Sequence, residues 1–437
     1  MKTSAACALL TATAALAQSD LSGTMGLDLE DRLIRYSASG DLRDPVAVLQ
    51  KKLDRGEAKL PWDTRLGYLP AVLQALGIPP ASQVLVFSKT SFQLARIAPA
   101  TPRAIYFNDD VYAGWVQDGD VMEFSSNDPL KGSIFYTLDQ NPKRAPKFIR
   151  RDECLQCHSS PRTLGVPGHM VRSVYAGADG YPYFQAGGFS TDHRSPLKER
   201  WGGWYVTGTH ANDVHMGNAF LKDKDKENPE NMDLKAGANV MSLAGRFDHR
   251  RYLSGHSDIV ALMVLEHQVR MHNLLTRVSY EARVALEQQA SMNKALLRPE
   301  GEWSDSTRRR IRNPAEVLLQ YMLFRDEAPL RGPVKGTSGF AADFAKSGPR
   351  DTRGRSLREL DLKTRMFRYP CSYLVYSPAF DELPREVKLH LYQRLWEVLN
   401  GRDTSKLYAD MKAEDRRAVA EILMDTKPEI AEYFATR

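Results

Sequence analysis

The sequence predicts an α+β protein, antiparallel β-rich in its N-terminal and central part and mostly helical in its C-terminal half. Three observations predict it. Short runs rich in Val, Ile, Phe and Tyr, cut by turn residues, crowd residues 83–140. Unbroken helical apolar spacing runs from about 256 to about 290. Between them, 160–250 is rich in Gly, Pro, His and aromatic residues and has no long periodic run.

The chain begins MKTSAACALLTATAALAQSD. Lys2 precedes a small, apolar run from Ala5 to Leu16, and Ala15-Leu16-Ala17 is an A-x-A cleavage site. Residues 1–17 therefore read as a secretory signal peptide cut after Ala17, taking Cys7 with it. The run is too short to span a bilayer, and no later segment reaches about 18 uninterrupted apolar residues. The expected product is an exported protein, periplasmic or secreted, with no transmembrane segment.

Residues 18–82 read as N-terminal helices. LDLEDRLIRY and DPVAVLQKKLDRG place apolar residues three and four apart, and the proline turn GIPPAS closes this part. Residues 83–150 read as an antiparallel β unit, sandwich-like over about 83–140. Its runs QVLVFSKTSF, RAIYFND, VYAGWVQ, DVMEFSS and GSIFYTL are separated by the turns NDD, QDGD and DPLKG. Residues 151–250 carry strands such as VRSVYAG and WGGWYVTG and a polar loop, KDKDKENPENMDLK. Residues 251–437 read as mainly helical. Ser254 or Ser257 is the expected cap of a long helix through about 290, a second helix follows Asn313-Pro314, 329–357 is a loop by composition, and helix returns from Pro384.

The formal charge of +6 over 437 residues is spread along the chain. It is compatible with docking to an acidic partner and gives no nucleic-acid signature. After loss of the leader three cysteines remain, Cys154, Cys157 and Cys371. That is not the even, dense set of a disulfide scaffold, and a chain this long buries enough core without staples. Cys371, in YPCSYLVY, reads as a buried free thiol.

Residues 152–160 read DECLQCHSS. A bare Cys-x-x-Cys is a redox disulfide when it sits at a strand-to-helix turn of a βαβ unit, but this neighbourhood reads antiparallel. A structural zinc site needs a second ligand pair, which Cys371 alone does not supply. The third reading is covalent haem. Two residues between the thiols span the two vinyl groups, and the next residue brings an imidazole under the iron. With 4 Cys and 10 His in 437 residues, a chance match is on the order of one in a thousand. Haem attachment occurs outside the cytoplasm, in agreement with the leader.

On Cys154, Cys157 and His158 the chain resembles the c-type cytochromes. The resemblance covers the motif and not the small helical cytochrome fold. DHRSPLKERWGGWYVTGTH and RMFRYPCSYLVYSPAF are also similar to blocks in a group of uncharacterised, large secreted bacterial proteins with one such motif. The resemblance implies one haem c, thioethers at Cys154 and Cys157, and His158 as the proximal iron ligand.

The other face of the iron decides the chemistry. Met or His there makes an electron-transfer centre, whereas water or nothing leaves room for a small molecule. Candidates for the sixth position follow the motif: His169, Met170, His193, His210, His215 and Met216. His193 in FSTDHRSP, and His215 and Met216 in THANDVHMGN, sit in loops, where ligands are presented. Each is also an ordinary surface or structural residue by type. His256 and His267 lie three helical turns apart, with Glu266 and His272 nearby. A histidine there is more often a core residue, although His267 is a further distal candidate. Arg194 and Arg200 suit haem propionates, or solvent. Trp201, Trp204 and Tyr205 suit a pocket wall, or a half-buried strand.

Two function classes follow. One is a monohaem electron carrier with a redox partner protein. The alternative is a haem enzyme of peroxidase-like chemistry, or a small-ligand sensor, with a small-molecule substrate. A carrier needs only a small shell around its haem, and this chain is far longer than that. No Ser-His-Asp, P-loop or dinucleotide motif offers a competing chemistry.

Overall fold

The computed structural model describes residues 27–38, 40, 42–222, 228, 229 and 232–437. The expected leader with Cys7, and residues 223–227, 230 and 231 of the polar loop, lie outside them. The protein is α+β. Helices α1 (Pro45–Asp54) and α2 (Leu69–Ala75) precede strands β1 (Val84–Val86), β2 (Arg103–Phe107), β3 (Val111–Trp115), β4 (Val121–Asp128), β5 (Gly132–Asp139) and β6 (Phe148–Arg150). The short α3 (Leu155–His158) follows, then β7 (Val171–Val174), β8 (Gly188–Thr191), β9 (Trp204–Tyr205) and β10 (Gly208–Thr209). The remainder is α4 (Ile259–Ala295), α5 (Asp305–Met322), β11 (Lys335–Gly336), α6 (Phe340–Lys346), α7 (Pro378–Asp381), α8 (Arg385–Leu399), α9 (Ala413–Thr426) and α10 (Pro428–Ala435).

Seven strands form one antiparallel sheet in the order β6-β5-β4-β3-β2-β1-β9. Strand alternation sends Tyr106, Ala113, Trp115, Met122, Phe124 and Tyr136 to one face, where they pack with Val46, Leu69 and Val72 of the first two helices. Val84, Val86, Phe107 and Tyr112 point to the other face and join the core built on α4, α5 and α8. The expected sandwich is thus corrected. Both faces of the strands are apolar, and helices rather than a second sheet cover them.

Four boundaries also depart from expectation. LDLEDRLIRY is a series of turns, not a helix. Asp28 and Asp31 accept from the backbone of Glu30 and Leu33, and Arg35 has φ +40°. Its apolar spacing reflects Ile34 and Tyr36 reaching the core. The long helix is capped by Asp258, which accepts from Val260 N and Ala261 N. Ser257 instead joins helix to sheet, donating to Tyr205 O and accepting from Leu85 N. Asn313-Pro314 does not start α5. Ser304 caps it, and Pro314 lies buried inside it beside Ile311, Ala315 and Leu318, whose packing offsets the lost backbone bond. The 329–357 loop contains α6, because Phe340 and Phe344 anchor in the core.

Candidate functional site

Strand β6 delivers the chain to the Cys-x-x-Cys-His turn. Arg151 N bonds Phe135 O at 2.9 Å, and Arg151 Nε bonds Thr137 Oγ1 at 2.9 Å. Arg150 pairs with Asp152 at 2.7 Å. These contacts fix the turn on β5, over an end of the sheet. All three described cysteines are free, with Cys154 half-buried and Cys157 exposed. Burial, then the charges of Glu153 and Glu123, push the Cys154 thiol up to about 11.

His158 is oriented by its backbone surroundings. Nδ1 lies 2.9 Å from Gly168 O. A carbonyl only accepts, so Nδ1 carries the proton and Nε2 presents its lone pair. Burial holds the ring below its usual range, and Phe135 lies 4.7 Å from it, ring to ring. A neutral imidazole with one nitrogen tethered and the other free is the form that ligates a metal.

The surface around the turn is built from distant segments. On the sheet, Arg103 and Glu123 pair at 2.7 Å, within electrostatic reach of His158. A Cβ at Gly114 would run into the Arg103 guanidinium, so glycine makes the room for it. Ser91 bonds Glu123, and its neighbour Phe92 is 76 % exposed. Arg172 acts on Cys157 and stacks 5.5 Å from Phe184, itself 61 % exposed. Burial, then the charge of Arg162, lowers Arg172. Near the free thiols and the free imidazole nitrogen thus lie the cation Arg172, with Phe184 on it, and the Arg103–Glu123 pair.

The other nominated residues lie elsewhere, with one exception. Met170 is half-buried and directly precedes β7, two residues before Arg172. His169 has both nitrogens engaged, by Ser125 and Ser133. His193 is sealed in the core, its Nδ1 2.9 Å from Nδ1 of His267, whose Nε2 bonds Ser372 Oγ at 2.8 Å. Arg194 pairs with Asp192 at 2.7 Å, and Arg200 with Glu266 at 3.0 Å, so both arginines belong to this inner cluster. His215 is buried against His210, 4.8 Å ring to ring, and Trp201, 5.3 Å away. Met216 Sδ accepts from Ser173 Oγ at 3.4 Å, on the opposite side of β7 from Arg172.

The helix histidines separate. His256 bonds Thr337, and His272 bonds Asp109 O. Among the described residues no group of three or more His, Cys, Asp or Glu is placed to hold a metal ion. Trp204 Nε1 donates to Arg172 O, and Trp204 and Tyr205 form β9. Cys371 is fully buried, its thiol pushed up to about 12 by burial. Sequence reasoning missed Arg103, Glu123, Gly168, Arg172 and Phe184. Only the exposed aromatics of loops 88–97 and 181–187 left a trace that composition could have registered.

A row of rings leads inward from His158: Phe135 at 4.7 Å, then His169 at 6.2 Å, Tyr112 at 4.4 Å and Phe107 at 6.3 Å. Among the described residues no helix is long and apolar enough to cross a membrane. No family model, curated protein or solved structure matches the chain.

Proposed function

We propose that the protein is an exported, single-haem c-type cytochrome that takes part in electron transfer. Cys154 and Cys157 would hold the haem through thioethers, and His158 would ligate its iron through Nε2. The observation that carries this is the bond from His158 Nδ1 to Gly168 O, which orients the imidazole and leaves Nε2 free beside two unpaired thiols. Haem held there supplies one-electron redox chemistry at its iron. The chain's own residues orient the imidazole, shield it with Phe135 and surround it with charge from Arg103, Glu123 and Arg172.

The test is a covalent haem stain after denaturing electrophoresis of protein made with a haem-ligation system. Wild type stains, and the Cys154→Ser/Cys157→Ser variant does not. An unstained wild type overturns the reading.

A second reading, a haem enzyme of peroxidase-like chemistry or a small-ligand sensor, has its own support. His193, His215 and Met216 are buried in contacts of their own, which favours an iron whose second face is open to a small molecule. Optical spectra separate the two readings. A reduced form that binds CO supports the open site, and low-spin bands indifferent to CO support the carrier.

A further inference from the structure

The β2–β3 turn lies across the sheet from the Cys154–His158 turn, which follows the edge strand β6, three strands from β3. Beside it is a cleft of about 430 Å³, between the sheet and α6. Its apolar wall is Phe107, Phe340 and Phe344, with ring centroids 5.6 Å and 5.7 Å apart in succession. Most of its polar groups are already satisfied. Arg358 donates to both oxygens of Asp109, at 2.8 and 3.1 Å, and lies 4.1 Å from the Phe344 ring. Gln268 donates to Asn108 O and Tyr112 Oη and accepts from Tyr373 Oη. Asn108 donates to Leu76 O and accepts from Asp110 N and Val111 N.

The carboxylates of Asp110 and Asp343 remain, with no side-chain hydrogen bond or ion pair among the described residues. Asp343 is exposed at the rim, and Asp110 is half-buried. Burial, then the charge of Asp109, push Asp110 up to about 6, as befits a carboxylate short of a positive partner.

We propose that this cleft binds a small organic cation: an amine whose ammonium pairs with Asp110 while its apolar body lies on the three phenylalanines. A neutral ligand would leave the carboxylate desolvated and unpaired, and an anion would meet net negative charge. A bare metal ion lacks a third protein ligand here. Aromatic faces attract cations, and the volume is that of an ordinary small-molecule site. The proposal stands on the cleft alone and does not depend on haem attachment.

The experiment is calorimetric titration of the full-length exported protein with phenethylamine, 2-phenylethanol and phenylacetate. Phenethylamine is expected to bind at least ten-fold tighter than 2-phenylethanol, with no detectable phenylacetate binding. Asp110→Asn should weaken the amine ten-fold or more and leave the alcohol unchanged. Equal affinity for all three probes, no amine binding at millimolar concentration, or an unaffected Asp110→Asn overturns the proposal. Should that variant fail to fold, carbodiimide labelling of Asp110 in wild type decides. Phenethylamine, and not 2-phenylethanol, must slow it.

Discussion

The Cys154–His158 turn and the His193–His267 cluster draw on similar side chains and end in opposite states. Both combine histidine with arginine and carboxylate. At the turn, the imidazole has one nitrogen tethered to a backbone carbonyl and one free, beside thiols that solvent reaches. In the cluster, Asp192, Arg194, Arg200, Glu266 and His267 pair with one another, with His193 or with Ser372, in a core lined by Tyr321 and Phe324. Residue type therefore does not separate a binding site from a structural network. What separates them is whether solvent reaches the free polar atom: His193 Nε2 also lacks a hydrogen-bond partner, but it is sealed in the core.

That contrast can be broken, beginning with the largest effect. Glu266→Ala leaves the Arg200 guanidinium buried and unpaired, and is expected to cost about 3–5 kcal/mol. The denaturation midpoint should fall while haem staining persists. Loss of staining in a folded Glu266→Ala protein would tie the cluster to the cofactor.

Thiol reactivity gives the next contrast. In protein made without haem attachment, Cys157 should alkylate in the native state, and Cys371 only on unfolding, on the order of 10³-fold more slowly. Comparable native rates for the two would contradict the burial of Cys371.

Acid tests the core alone. Burial lowers His169, His193, His215, His267 and His272, with His215 and His267 at about 3 and His272 at about 4. Below about 6.5 the unfolded chain takes protons at these sites and the native protein does not, so stability falls with pH. Burial raises Glu266 and Glu327 to about 7, and these work in the opposite sense between pH 7 and 4.5. The histidines outnumber them, and a net loss of stability from pH 6.5 to pH 5 is expected in urea titrations. Constant stability across that window would show that the cluster is hydrated.

The smallest effect belongs to the turn's surroundings. Arg172→Gln removes a half-buried cation that has no ion pair, and should change stability by less than about 0.5 kcal/mol. Under the haem reading it should still shift the midpoint potential, because it removes a charge near Cys157. A large stability change with an unmoved potential would make Arg172 structural.

Much of the fold was legible because its signals are local. Short runs of Val, Ile, Phe and Tyr between turn residues marked β2 to β5, and helical spacing marked the long helix, although its cap is Asp258 and not a serine. LDLEDRLIRY misled because Leu29, Leu33 and Tyr36, which meet the core from a series of turns, fall at helical spacing. Pro314 misled because tertiary packing tolerates it inside α5. At the site, the loop argument favoured His193 and His215. Both are loop residues in sequence, yet both are covered by elements far along the chain.

By itself the sequence determined the α+β division, the long helix and the Cys-x-x-Cys-His motif, since each is written in spacings of a few residues. Only the tertiary structure decided which imidazole is free to bind. That depends on what tertiary contacts engage or cover: Gly168, ten residues on, tethers His158, Ser125 and Ser133 take both nitrogens of His169, and His193, whose Nε2 has no partner, is sealed against His267 in the core. A hydrogen bond satisfies an atom wherever its partner comes from in the chain, so no local pattern records it.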